Sequence, residues 1–282
     1  MKKIGVIGAG TMGRGVAELF ASYNYLVILV DCSEKAVEDA KKDIYNISRF
    51  KNIGVKSSPF CNPEQVLENI TFTTNMNSLF DVDFVVENTY ENFEVKKMIY
   101  EEIDNICRSD VIFAVNTSCI SITKLASLTN RPAQMLGMHF MNPVSKIDAV
   151  EVIKGFYTSE NTLSNALDLL NAVGKEGVVV NDFTGFVSNR ISHLMMNEAA
   201  FIVQDGVATP EVVDDIFKKC YGHKMGPLET ADLIGLDTVV DSLDILFDSY
   251  RDPKFRCCPL LRKMVYANLK GRKSGEGFYK YQ

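Results

Sequence analysis

The sequence predicts an α/β fold: a doubly wound, mostly parallel sheet with a second, all-α C-terminal domain. Three observations predict it. Short β-branched runs alternate with helical periodicity over the first 180 residues, the pattern of repeated βαβ units. A glycine motif, Gly8-x-Gly10-x-x-Gly13, follows the first run directly, where a strand must turn sharply into a helix. After "NDFTGF" (181–186) the strand signal stops, so the chain divides into residues 1–182 and 186–282.

The elements follow in order. "KIGVIG" (3–8), "YLVILVD" (25–31), "ITFT" (70–73), "DFVVE" (83–87), "VIFAVN" (111–116) and "QMLGMHF" (134–140) are short apolar runs of strand length. "AVEVI" (149–153) and "GVVV" (177–180) continue the series. Helical spacing of apolar residues fills the gaps at 91–107 and 160–173. Residues 33–69 are too long for one crossover and predict a helical excursion from the sheet. Beyond the break, 185–206, 209–219, 235–249 and 257–269 all carry helical periodicity, interrupted by "GHKMGP" and closed by "GRKSGEGFYKY".

Composition narrows the function. The 282 residues, 46% of them hydrophobic, supply a sizeable core. Lysine plus arginine total 30 against 36 acids, a net charge of -6. That balance argues against nucleic acid and anionic membrane as main partners, though not against a small anion in a local basic pocket. Seven scattered cysteines without a CxxC pair point to reduced thiols in a cytoplasmic protein, with no metal site. "MKK" before "IGVIGAGTMG" imitates a secretory leader, but glycines and then Arg14 and Glu18 break its apolar core. No run reaches the roughly 20 apolar residues that span a bilayer.

In "VIGAGTMG", residues Gly8, Ala9, Gly10, Thr11, Met12 and Gly13 form a candidate Rossmann-type dinucleotide loop. Gly8 permits the turn, Gly10 admits a pyrophosphate to the backbone, and Gly13 lets helix and strand pack closely. The helix N-terminus then offers unpaired N–H groups and a positive dipole end. Glycines serving only a tight turn are the alternative. Asp31 ends the second strand 18 residues after Gly13, near the separation of about 20 expected for a ribose-binding acid. Its carboxylate would repel a 2′-phosphate and so favour NAD over NADP; as a lone residue it could instead cap a helix.

His139, one of three histidines, ends an apolar strand, at the edge where open α/β sheets hold ligands. A core histidine satisfied by a carbonyl is the bland alternative. Glu151, inside the apolar run "AVEVI", favours a catalytic role, because a buried carboxylate needs a partner. Together they make a general base with an orienting acid, suited to removing a hydroxyl proton while hydride leaves for nicotinamide.

The segments "VIGAGTMGRGVA", "VVENTYENFEVKK", "NTSCISIT", "GMHFMNPV", "VEVI", "TGFVSNRI", "MGPLETADLIGLD" and "GRKSGEGFYKY" resemble the L-3-hydroxyacyl-CoA dehydrogenase family, in order and along essentially the whole chain. The length suits its short single-function members. The resemblance implies NAD-dependent interconversion of a short-chain (S)-3-hydroxyacyl-CoA, such as 3-hydroxybutyryl-CoA, and the 3-oxoacyl-CoA. It implies His139 as base, Glu151 as its partner, and Ser118 and Asn189 at the substrate. It places Glu91, Lys96, Asn116, Ser118, Asn142 and Lys273 at the NAD site, although Lys96 taken alone suggests a solvated helix face. Arg49, Lys51 and Lys56 are the basic residues available to the CoA phosphates, in a stretch thinner in lysine than is usual. Asp148 stands where the family commonly has lysine. These two departures motivate the alternative, a dehydrogenase of the same superfamily acting on a free hydroxy acid such as a sugar acid or carnitine. A non-catalytic NAD-binding protein is disfavoured by the joint retention of His139, Glu151, Ser118 and Asn189.

The resemblance also implies a homodimer. The helix at 185–206 carries apolar residues on more than one face, including Ile191, Leu194, Met195, Phe201 and Ile202, and so needs a second packing surface. His193 is expected to pack or to lie at an interface, and His223 to stabilise a helix start.

Overall fold

The computed structural model describes residues 2–51 and 62–281, and by its contacts the chain forms two compact units, Met1–Asp182 and Phe183–Gln282. Lys56 and the side chain of Lys51 lie outside the described part. The first unit holds eight strands: β1 (Lys3–Ile7), β2 (Leu26–Val30), β3 (Ile70–Thr73), β4 (Phe84–Glu87), β5 (Ile112–Val115), β6 (Met135–His139), β7 (Ala149–Lys154) and β8 (Glu176–Asn181). Its helices are α1 (Thr11–Ser22), α2 (Glu34–Lys51), α3 (Pro63–Glu68), α4 (Phe93–Ile106), α5 (Ile122–Ala126) and α6 (Glu160–Ala172). The excursion expected at 33–69 contains α2 and α3, which pack on each other and on α1.

One sheet contains all eight strands in the order β3-β2-β1-β4-β5-β6-β7-β8. Every neighbouring pair is parallel except β6 and β7. Because side chains alternate across a strand, each strand feeds two faces. Ile4, Val6, Val27, Leu29, Phe84, Val86, Leu136, Met138, Val150 and Val152 join the core shared with α1 and α6. The alternate positions face α4 and α5: Phe113 meets Tyr100 of α4, and Gly137 lies against Ile122 of α5. His139 and Glu151 have this second parity, as does Glu87.

The second unit is helical: α7 (Ser188–Gln204), α8 (Pro210–Tyr221), α9 (Pro227–Ile234), α10 (Leu236–Tyr250) and α11 (Pro259–Tyr266). Its core gathers Met196, Ala200, Leu236, Leu243, Cys258 and Leu261. The short α9 was not expected, since Gly226 and Pro227 look like loop. Asp214 of α8 makes it possible. Gly226 offers no capping side chain, and the buried Asp214 carboxylate accepts from Leu228 N and Glu229 N at 2.8 Å each, satisfying donors that a helix start leaves open. The expectation for His223 is overturned by the same geometry. Its N–H donates to Phe217 O at the end of α8, and its ring lies against Phe217. Among the described residues no helix is long and apolar enough to cross a membrane, and no group of three or more acidic, histidine or cysteine side chains could hold a metal ion.

Candidate active site

The loop joining β1 to α1 gives each glycine a distinct reason. Gly8 has φ +92°, the left-handed region that side chains rarely adopt, and a Cβ there would meet Asn88 O at 2.8 Å. A Cβ on Gly13 would lie 1.8 Å from Gly8 O, so helix and strand touch there. A Cβ on Gly10 would meet nothing within 4 Å. That open cradle, at the start of a 12-residue helix, fits a pyrophosphate on backbone N–H groups. Thr11 is exposed and Met12 packs partly on the core. Asp31, just past β2, accepts from Ala9 N at 2.8 Å and Ser33 N at 2.9 Å, tying the second strand to the glycine loop. It is not the cap of α2; Ser33 Oγ takes that role, accepting from Ala36 N.

The strand ends beside this loop carry the remaining groups. Antiparallel register sets His139 directly opposite Glu151, where cross-strand side chains lie alongside each other. His139 Nδ1 is 3.1 Å from Glu151 Oε2, and both residues are buried, at 6% and 9% exposure. The other ring nitrogen, Nε2, lies 3.3 Å from Ser118 Oγ. The imidazole therefore stands between a carboxylate and a hydroxyl. Ser118 follows β5 on a loop held by Glu91, whose Oε1 accepts from Thr117 Oγ1 at 2.6 Å, Ser118 N at 2.9 Å and Cys119 N at 2.7 Å. Asn116 donates to Asn88 Oδ1 at 2.7 Å and accepts from Phe140 N at 3.2 Å. Hydrogen bonds thus link the segments that follow β4, β5 and β6.

Two family models match the chain: "3-hydroxyacyl-CoA dehydrogenase, NAD binding domain" over residues 3–183, and "3-hydroxyacyl-CoA dehydrogenase, C-terminal domain" over 185–281. The chain belongs to the 3-hydroxyacyl-CoA dehydrogenase family. It is 45% identical to a probable 3-hydroxybutyryl-CoA dehydrogenase of Deinococcus radiodurans, over 99% of this chain and 100% of that protein. It is 40% identical to the 3-hydroxybutyryl-CoA dehydrogenase of Clostridioides difficile, over 99% of each. The crystal structure of (S)-3-hydroxybutyryl-CoA dehydrogenase from Ralstonia eutropha superposes with a TM-score of 0.92 at 38% identity, covering 100% of this chain and 99% of that one. As a member of this family the chain uses NAD.

The other expected site residues are distributed along the chain. Asn142 is exposed beyond β6, and Arg49 is exposed on α2. Asn189 is the second residue of α7, and Lys273 pairs with Asp237 at 2.5 Å, both within the second unit.

Lys96 corrects the solvated-face expectation. It is 0% exposed, and its ammonium lies 2.8 Å from each oxygen of Glu87, itself 0% exposed. Glu87 also accepts from Thr89 N and Thr89 Oγ1, and from the Tyr100 hydroxyl, whose pKa burial and the nearby carboxylate push well above its ordinary value. The Lys96 ammonium reaches Thr89 O and Asn116 O at 3.4 Å. This network is the main feature that the sequence reading missed. Its signal was available: "DFVVE" ends an apolar strand on a carboxylate, just as "AVEVI" encloses one.

Lys96→Met should therefore cost about 3–5 kcal/mol, because it leaves a buried charge without its partner. Lys96→Met with Glu87→Gln should recover a large part of that loss, the amide keeping an acceptor for Thr89. Denaturant titration of the two variants against the parent decides it, and a near-silent Lys96→Met would show the pair to be dispensable.

Proposed function

We propose that this chain interconverts a short-chain (S)-3-hydroxyacyl-CoA, best represented by 3-hydroxybutyryl-CoA, and the 3-oxoacyl-CoA, with His139 and Glu151 as its acid-base pair. The observation that carries the reading is the line Glu151, His139, Ser118, with contacts of 3.1 and 3.3 Å. Glu151 accepts the Nδ1 proton and fixes the tautomer that leaves Nε2 basic. His139 Nε2 then takes the proton from the substrate hydroxyl, and Glu151 stabilises the imidazolium that forms. Ser118 Oγ, beside the same nitrogen, can share a hydrogen bond with that substrate oxygen. NAD, when bound, supplies the acceptor for the hydride that leaves the same carbon. Removing one proton and one hydride converts the carbinol to a ketone; in reverse, His139 returns the proton.

The glycine loop Gly8–Gly13 and Asp31 hold the cofactor in this reading, with Asn116 and Asn142 at neighbouring strand ends. The CoA thioester and the short acyl chain are supported by the near-full-length likeness to proteins named for 3-hydroxybutyryl-CoA. Six described cysteines are free thiols, in keeping with a cytoplasmic setting. The second unit exposes Ile191, Val207, Val212, Ile216, Tyr221 and Leu233. So many large apolar groups on one helical unit suit burial against a second copy.

The substrate assignment is checked by following NADH absorbance with acetoacetyl-CoA and with free acetoacetate. Turnover of the free acid and not the thioester would overturn it. In the catalytic pair, His139→Gln should keep the fold and NAD affinity and lose about 10²- to 10⁴-fold in kcat, or roughly 3–5 kcal/mol of barrier. Glu151→Gln should also lose rate, because an amide cannot stabilise the imidazolium. The double variant should be little worse than His139→Gln, since groups acting as a unit are non-additive. Full activity in Glu151→Gln, or losses that multiply, would reduce the pair to a structural contact. NADH should be strongly preferred over NADPH, and Asp31→Ser should relax the preference; equal efficiencies in the parent would remove the role given to Asp31. Light scattering at micromolar concentration should return twice the chain mass, and a monomer mass would remove the dimer.

A further inference from the structure

We propose that Glu91 is a positioning residue that holds Ser118 against the catalytic histidine, an inference that rests on the role given to His139 and Ser118 above. Glu91 does not touch His139. Its carboxylate instead organises the loop carrying the serine. One oxygen, Oε1, receives Thr117 Oγ1, Ser118 N and Cys119 N within 2.9 Å. The Thr117 hydroxyl, while donating to Glu91, accepts from Ile120 N at 3.1 Å. Residues 117–120 therefore wrap around a single anionic oxygen, and charge-assisted bonds of this kind are about twice as strong as neutral ones. Thr117 and Cys119 are each 2% exposed, while Ser118 between them is only partly buried and reaches His139 Nε2. The loop is pinned on both sides of the residue left to face the reacting atoms.

Glu91 is itself anchored from below. Two residues before it, Thr89 gives its N–H and its hydroxyl to the buried Glu87, and the Thr89 carbonyl receives Lys96. One residue after it, Asn92 caps α4 by accepting from Glu94 N and Val95 N. The backbone at Glu91 is thus held between a buried ion pair and a helix cap. The same ion pair reaches Asn116 O, at the start of the serine loop. Position is transmitted from Glu87 and Lys96 through Thr89 and Glu91 to Ser118, and from Ser118 to Nε2. A misplacement of about 1 Å at such a group can lower the rate on the order of 10²-fold without touching the chemistry.

This role is additional to the place at the NAD site that the family resemblance implies for Glu91, and kinetics at saturating NADH separate the two. The experiment compares Glu91→Ala, Glu91→Gln, Ser118→Ala and the double variant Ser118→Ala with Glu91→Ala. It measures kcat for acetoacetyl-CoA reduction at saturating NADH, and NADH affinity by fluorescence titration. Glu91→Ala should lower kcat about 10- to 100-fold even at saturating NADH, over and above any change in NADH affinity. Glu91→Gln, which keeps a carbonyl acceptor, should restore most of the rate. The double variant should be no slower than Ser118→Ala, because Glu91 acts through that residue. If Glu91→Ala does not fold, Glu91→Gln with and without Ser118→Ala runs the same cycle. A Glu91→Ala enzyme with normal kcat and NADH binding weakened about tenfold would overturn the proposal, as would losses that multiply with those of Ser118→Ala. A fully active Ser118→Ala would instead remove the functional reading of the serine. An impaired Ser118→Ala beside a normal Glu91→Ala would remove the positioning role alone.

Discussion

The antiparallel pairing of β7 against β6 is the constraint on which the site depends. Six strands run parallel from β3 to β6, and then the direction reverses once. That reversal brings residue 151 opposite residue 139, on the face that does not join the core with α1. A register slip of one residue would turn Glu151 into the apolar layer that now takes Val150 and Val152. Hydrophobic burial of those two valines therefore sets the geometry of the contact between Glu151 and His139. The alternation of "AVEVI" is at once the packing code of a strand and the address of a carboxylate.

Around that pair the sheet edge is assembled by hydrogen bonds between loops rather than by any long element. Asn88, Asn116 and Phe140 join the segments after β4, β5 and β6, and Asn88 also crowds the turn at Gly8. Irregular backbone of this kind is mobile unless its polar groups are satisfied. Here they are satisfied by carboxylates and amides drawn from neighbouring loops. The glycine turn and the His139–Glu151 contact are consequently joined through Asn88, Asn116 and Phe140.

Much of this was legible in the sequence, and the reasons are physical. Seven strands were marked by β-branched runs and β6 by the run "QMLGMHF"; the inner strands are buried on two faces, which leaves little room for polar residues. The glycine roles at 8, 10 and 13 follow from backbone geometry alone. Glu151 was conspicuous because an acid in an apolar strand needs a partner. What escaped depended on pairings between residues distant in the chain. α9 is capped from α8 by Asp214, because its N-cap, Gly226, has no side chain and only Glu229 reaches back to the Gly226 N–H. Lys96 sits nine residues after Glu87, on a helix whose other lysine, Lys97, is half-exposed, and no local pattern tells the two lysines apart. The reversal of β7 is likewise a matter of connection, which periodicity does not encode.

Buried charge is costly, and the places where this chain tolerates it in the first unit are informative. Arg131 with Asp104, Lys96 with Glu87, and His139 with Glu151 are all within the interior. The first binds the carbonyls of Asp104, Cys107 and Arg108 and so closes the end of α4. The second fixes the loops after β4 and β5. Only the third includes an imidazole, the side chain suited to passing a proton in the proposed reaction. Apolar packing of similar volume is often as stable as a buried ion pair, so stability alone does not account for Glu87 and Lys96 beneath the serine loop. Directional bonds from one fixed point to Thr89 and Asn116 do account for them. A methionine and a leucine in their place could fill the volume and still leave Ser118 free to drift from Nε2.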